Sequence, residues 1–233
     1  MIKRFFVLAL LFAMGLLFTD LLLSYTPDTE LNSTALYYAN HTAKDLGAAN
    51  IVTAIIVSYR GLDTLGEVTV LFLSAAILVL VLPKGWRRGK RKPRILPSTG
   101  ELLGTGSHLL VPLILLLGVY LFVNGHLTPG GGFQGGAIIA SAALLLLLTN
   151  PLQPFSRHLF SVVESIAGLC FVVIGLLGIV YAGGFLDNRL LPIGQLGELF
   201  SAGTMPILYS LIGLKVGAEF SSMLINLSET KDS

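Results

Sequence analysis

Residues 124–149 read NGHLTPGGGFQGGAIIASAALLLLLT, a glycine-rich turn that runs directly into an apolar block. A second apolar block, 109–123, ends just before it. Two such blocks joined by a tight turn describe a chain that crosses a bilayer and returns. Thr128, Pro129 and Gly130 supply the turn: proline presets the backbone, and glycine accepts conformations that other residues avoid. Gly131 and Gly135, like Gly132 and Gly136, stand four apart. That spacing leaves a bare face at the start of the next helix, where a neighbouring helix can approach closely. His126, beside the turn, is a candidate proton carrier because its ordinary pKa lies near neutrality. A phosphate-binding loop would need a strand before it and a Lys-Ser/Thr pair after it, and neither is present.

The remainder of the chain follows the same plan. Of its 233 residues, 54% are hydrophobic and 12% are charged, whereas a soluble domain carries about 25% charged residues. Apolar blocks at 5–24, 64–82, 109–123, 133–149, 159–181 and 202–227 approach the roughly 20 residues needed to span a hydrocarbon core. Lys3 and Arg4 ahead of the first block resemble the start of a signal peptide. The block continues through Leu23 with no small-x-small site after it, so it is read as a retained helix. Residues 48–57 make a helix of only about 15 Å, half the thickness of the core. The region near 46–59 is therefore expected to be a short amphipathic or re-entrant helix. The single cysteine, Cys170, has no partner for an internal disulfide.

Charge sets the expected orientation. Lys84, Arg87, Arg88, Lys90, Arg91, Lys92 and Arg94 lie between the second and third spans, with no acid among them. The positive-inside rule makes this loop cytoplasmic, and with six spans both termini fall on that side of the cell membrane. Pro93, Pro97 and the absence of apolar periodicity mark 84–100 as a linker. The expected fold is thus an all-α integral membrane protein of about six transmembrane helices. A two-helix unit, 1–83, is joined to a four-helix unit, 101–233. The basic linker's default partner is anionic lipid; no nucleic acid is expected.

Ionisable residues within spans are costly and need partners or a hydrated path. Asp63 and Glu67 share a helix face at the start of the second span, with Arg60 three residues before Asp63. Lys215 and Glu219 are spaced i, i+4 in the sixth span. Two readings stay open for this second pair: an internal ion pair, or a proton or cation relay. Glu164 and His108, about one turn inside expected helix ends, either cap and snorkel or join the ion path. Asp20 is a weaker candidate. No H-E-x-x-H, G-x-S-x-G, C-x-x-C or P-loop occurs, so no independent catalytic activity is expected. The four histidines offer no obvious pair of haem ligands.

The stretch HLTPGGGFQGGAIIASA (126–142) resembles the signature of the B subunit of Mrp-type multisubunit cation/proton antiporters, the MrpB/MnhB family. That resemblance covers about 97–227. Separately, NIVTAIIVSYRGLDTLGEVTVL (50–71) resembles the C-terminal end of the large Mrp A subunit. It is also similar to the small E subunit of membrane-bound hydrogenases, over roughly 5–82. The chain resembles a fusion of an E-like and a B-like protein. By resemblance, Arg60, Asp63 and Glu67 match an R-G-x-D-T-x-G-E pattern. His126, Pro129, Gly130, Gly131, Gly132, Phe133, Gly135 and Gly136 match the B signature. The resemblance implies a subunit of an ion-translocating complex handling Na+ and H+. Its partners would be A- and D-like antiporter subunits and small C-, E-, F- and G-like subunits. A hydrogenase-like or sulfane-reductase-like redox arm would be a further partner. Iron–sulfur or nickel–iron centres would then belong to partner chains, with no cofactor or metal in this one. A purely structural assembly subunit is the alternative.

Overall fold

The computed structural model describes residues 2–26, 30–82, 100–150 and 155–230. Among the described residues the regular structure is entirely helical. The main elements are α1 (Ile2–Ser24), α2 (Ser33–His41), α3 (Ile51–Ala54), α4 (Gly61–Val81), α5 (Glu101–Val123), α6 (Gly132–Thr149), α7 (Arg157–Tyr181) and α8 (Met205–Thr230). Six of them, all but α2 and α3, are long and apolar enough to cross a membrane. The basic residues Lys84–Arg94 and most of the 84–100 linker lie outside the described residues.

Helix ends depart from the apolar blocks for local reasons. The α5 helix begins at Glu101, eight residues before the block at 109. Hydropathy marks where a helix meets lipid, whereas the polar run Gly-Thr-Gly-Ser-His continues the same backbone ladder. The α8 helix begins at Met205, after Ala202 and Gly203 take left-handed φ values of 63° and 59°. A side chain at Gly203 would collide with the Asn188 carbonyl. Ser156 caps α7, its hydroxyl accepting from Leu159 N at 3.2 Å. The helix α2 has no counterpart among the apolar blocks; Asn32 starts it by accepting from Ala35 N at 2.8 Å.

Two compact units divide the chain, 1–37 and 38–233. In the smaller, residues 3–26 are exposed throughout, so every face of α1, Asp20 included, is free of cover from its own unit. In the larger, α8 is the central helix and packs against α4, α5, α6 and α7, and α5 also packs on α6. Glycine makes this possible. A Cβ at Gly132 would lie 2.6 Å from Ile212 Cβ, and one at Gly136 would lie 2.7 Å from Val216 Cβ. Gly135 faces the other way, with the Gly118 carbonyl of α5 2.6 Å from the same construction. The expected bare face is therefore two faces, one for α8 and one for α5. Gly213 and Gly217 on α8 answer it, the Gly213 carbonyl and Gly217 nitrogen lying opposite Gly136.

The 46–59 region is two-faced, with Ile51 and Val52 exposed and Leu46, Ala48, Thr53, Ala54 and Val57 buried. Two π-helical turns, Thr42–Leu46 and Ile55–Tyr59, flank α3. Leu46, Ala48, Ala54 and Val57 join one apolar core with Phe171, Leu186, Met205, Leu208, Ile212 and Val216. On the buried side of so short a segment the polar backbone groups must find partners. Ala49 N and Asn50 N both donate to the His126 carbonyl at 3.0 Å. The Thr64 hydroxyl, buried at the start of α4, donates to the Ile56 carbonyl at 2.7 Å. Thr64 of α4 thus holds the π turn that precedes the helix.

Candidate functional site: a buried ion cluster and a bolted turn

The α8 helix brings Lys215 about 15 Å into the span, ten residues beyond Met205 at 1.5 Å each. Its ammonium donates to Glu219 Oε2 at 2.9 Å, one turn further on. Glu164 of α7 approaches the same nitrogen at 3.9 Å. The Phe72 ring of α4 completes the group, its centroid 5.4 Å from Lys215 Nζ. Relative exposure of the side chains is 8% for Lys215, 19% for Glu164 and zero for Glu219. Gly168 of α7 leaves the space that the lysine stem fills, for a Cβ there would touch Lys215 Cε at 3.5 Å. Three helices therefore converge on one cation. Among the described residues Glu219 Oε1 has no hydrogen-bond partner, and it is buried from solvent.

Glu164 sits two turns into α7, not at its rim, and is recruited to Lys215 rather than left to snorkel. His108 also lies two turns into its helix, and it is exposed on α5. Asp63 pairs with Arg60 at the start of α4, both side chains more than half exposed. Glu67, one turn deeper, is exposed too. It lies within electrostatic reach of Tyr209 on α8. The candidates therefore fall in separate places: a buried cluster, a charged rim on α4, the exposed His108 on α5, and the turn that holds His126.

That turn is bolted to the 46–54 segment. Asn50 caps α3, its side-chain oxygen accepting from Val52 N at 3.1 Å and Thr53 N at 3.3 Å. Its amide nitrogen donates to the Gly125 carbonyl at 2.9 Å and the Thr128 carbonyl at 3.0 Å. Thr53 adds a donated bond to Gly125 at 2.6 Å. Asn188 acts in the same way, donating to the Leu46 carbonyl at 2.9 Å and the Ala202 carbonyl at 3.1 Å. The imidazole of His126 is fully buried, with Nε2 3.4 Å from the Glu198 carbonyl. Burial lowers its pKa, against the opposing pull of the Glu198 and Val123 carbonyls. The Val123 carbonyl exerts that pull although Nδ1 makes no hydrogen bond of good geometry. In the same loop region, burial pushes the Asp187 carboxyl up, but its bonds to Arg189 outweigh this and hold it below its ordinary value.

Phe72, Asn50 and Asn188 were not among the expected functional residues. Asn50 carried a readable signal, an N-cap type just ahead of an apolar run. Phe72 and Asn188 carried none, since their roles depend on contacts with distant parts of the chain.

A family model described as a domain related to the MnhB subunit of Na+/H+ antiporters matches residues 102–222, just over half of the chain. The chain belongs to this family. A second model, for the E subunit of membrane-bound hydrogenase, matches residues 3–93. The MnhB-type and E-type regions thus lie side by side in one multi-pass membrane protein. An uncharacterized protein of Methanocaldococcus jannaschii is 30% identical, the match covering 77% of each chain. The B subunit of the Na+/H+ antiporter of Bacillus subtilis is 37% identical over 43% of this chain and 76% of its own. Among solved structures, a chain of the membrane-bound sulfane sulfur reductase, an archaeal respiratory membrane complex, superposes with a TM-score of 0.80. It is 38% identical, with 97% of this chain and 98% of that one covered. A chain of the Mrp complex from Dietzia sp. gives a TM-score of 0.77 at 27% identity. There, 99% of this chain matches 26% of the other, so this chain corresponds to about a quarter of that larger one.

Proposed function

We propose that this chain is a membrane subunit of a multisubunit Mrp-type Na+/H+ antiporter module, contributing to proton or cation translocation within a redox-driven respiratory complex. The observation that carries the proposal is the Glu164–Lys215–Glu219 cluster, a set of charges buried near the middle of a span. Such groups cost about 2.5–3.5 kcal/mol each on insertion scales. Packing alone is met by the glycines and gives no reason to place charge there. End-to-end similarity to a sulfane sulfur reductase chain supports the redox-driven branch. The redox centres, iron–sulfur or nickel–iron, are assigned to partner chains. Those partners are antiporter-like A and D subunits, small C-, E-, F- and G-like subunits and the redox arm. The complex sits in the cell membrane, with both termini of this chain and its basic linker on the cytoplasmic face.

A second reading, a purely structural assembly subunit, is favoured by one observation. His126, the most conspicuous residue of the turn, holds the 46–54 segment through its carbonyl. Two substitutions separate the readings. Glu67→Gln and His126→Ala are introduced into the whole complex, and assembly on blue-native gels is compared with Na+-dependent proton exchange in membrane vesicles. Loss of exchange with assembly intact supports a translocation role for that residue. Lower yield with full exchange per assembled complex supports the structural reading instead.

A further inference from the structure

The buried cluster does not balance its charge. Lys215 contributes one positive charge, and Glu164 and Glu219 contribute two negative ones, so the fully ionised group carries one surplus negative charge. Among the described residues, nothing in the surrounding helices compensates. The α6 helix has no ionisable residue, and the only ionisable groups of α4, Asp63 and Glu67, are acidic. The α5 helix adds Glu101, Tyr120 and the exposed His108; the last is its one basic candidate. On α8 the remaining groups are Tyr209, one and a half turns before Lys215, and Glu229 at the far end. On α7, Cys170 and Tyr181 lie beyond Glu164 and neither is basic, while the basic residues Arg157 and His158 stand two turns before it. Arg157 is engaged there, donating to Asn226 Oδ1 at 3.2 Å.

The surplus falls where it is least tolerable. Lys215 satisfies Glu219 Oε2, while Oε1 of the same carboxyl is buried from solvent and has no donor among the described residues. A charged oxygen in that position loses the whole of its hydration without replacement, whereas a neutral carboxyl loses far less. Glu164 is part-exposed and lies 3.9 Å from the ammonium; it bears a charge more easily. The Phe72 face over the lysine supports the cation but cannot offset a second anion.

We propose that Glu164, Lys215 and Glu219 together form a binding site for one exchangeable proton, seated on the Glu219 carboxyl and shared electrostatically with Glu164. The site deepens the translocation reading above and rests on it only for its role in transport; the bound proton is a property of this chain's own residues. Releasing the proton leaves the surplus charge, and rebinding removes it, so occupancy alternates between two charge states of one buried site. Lys215 holds both carboxylates within reach in either state.

Infrared spectroscopy of the purified, intact complex tests this directly. The wild-type complex is expected to show a carboxylic-acid carbonyl band that shifts on transfer from H2O to D2O. Glu219→Gln, nearly the same shape, removes that band. Glu164→Gln also removes it, because deleting the surplus negative charge leaves Glu219 ionised against Lys215. A band retained at full size in either variant overturns the proposal, as does a wild-type complex without one. Blue-native gels confirm that each variant complex is assembled before its spectrum is taken. Transport is measured separately, so a variant that loses the band yet transports at the wild-type rate refutes the translocation reading while leaving the proton site standing.

Discussion

Gly136→Ala sharply tests the account of how α8 is held. The added methyl group would sit 2.7 Å from Val216 Cβ, 2.8 Å from the Gly213 carbonyl oxygen and 2.9 Å from Gly217 N. Ordinary contact begins at about 3.5 Å, so α6 and α8 must separate by roughly 0.8 Å along their closest approach. Two of the three obstacles are backbone atoms, which no rotamer change can move aside. Overpacking of this kind costs about 1–3 kcal/mol. In a helix interior alanine is otherwise favoured over glycine by roughly 0.5–1 kcal/mol. Gly104→Ala in α5 is the matched control, because a Cβ there meets nothing within 4 Å. The two substitutions should move thermal stability of the purified complex in opposite directions, Gly136→Ala down and Gly104→Ala unchanged or slightly up. Equal stability of the two variants would refute the close α6–α8 contact.

Three further outcomes follow. Lys215→Met removes the only cation of the cluster, leaves the Glu164 charge unpaired and should destabilise by about 3–5 kcal/mol; adding Glu164→Gln should recover part of that loss, whereas additive losses would show that the two residues do not interact. Asn50→Ala removes a helix cap worth about 1 kcal/mol and two hydrogen bonds of about 1 kcal/mol each. Hydrogen–deuterium exchange should then accelerate in 46–54 and 124–131 together, and acceleration confined to 46–54 would contradict the bolt. His126, with its folded pKa lowered, takes up a proton on unfolding, so its contribution to stability is full above about pH 6.5 and declines as pH falls below that value. Melting temperatures of the wild type and His126→Asn across this window should converge as the pH drops; a constant difference would refute burial of the neutral ring.

Much of this molecule is legible in its sequence because lipid imposes a simple rule: a helix must be long, apolar and internally hydrogen-bonded. Six apolar blocks accordingly correspond to six long helices. The start of α5 was misplaced because the five residues Gly-Thr-Gly-Ser-His interrupt its apolar pattern and separate Leu102 and Leu103 from the block at 109. The glycine spacing predicted close packing but not the division of Gly132 and Gly136 from Gly135, which depends on where α5 and α8 stand. Lys215 and Glu219 are visible as a pair through helical periodicity. Their completion by Glu164 and Phe72 is not, since it joins three helices far apart in the chain. The same limit hid the bolt between Asn50 and the turn, 75 residues away.

The central claim is that buried charge on this subunit takes part in moving ions. The most direct measurement reconstitutes the complete complex, carrying Glu219→Gln, into liposomes and follows proton uptake driven by a Na+ gradient per assembled complex. The account predicts a loss of about a hundredfold, the lower end of what a positioned proton-transfer group contributes, with assembly unchanged. Wild-type turnover from a fully assembled variant complex would contradict it.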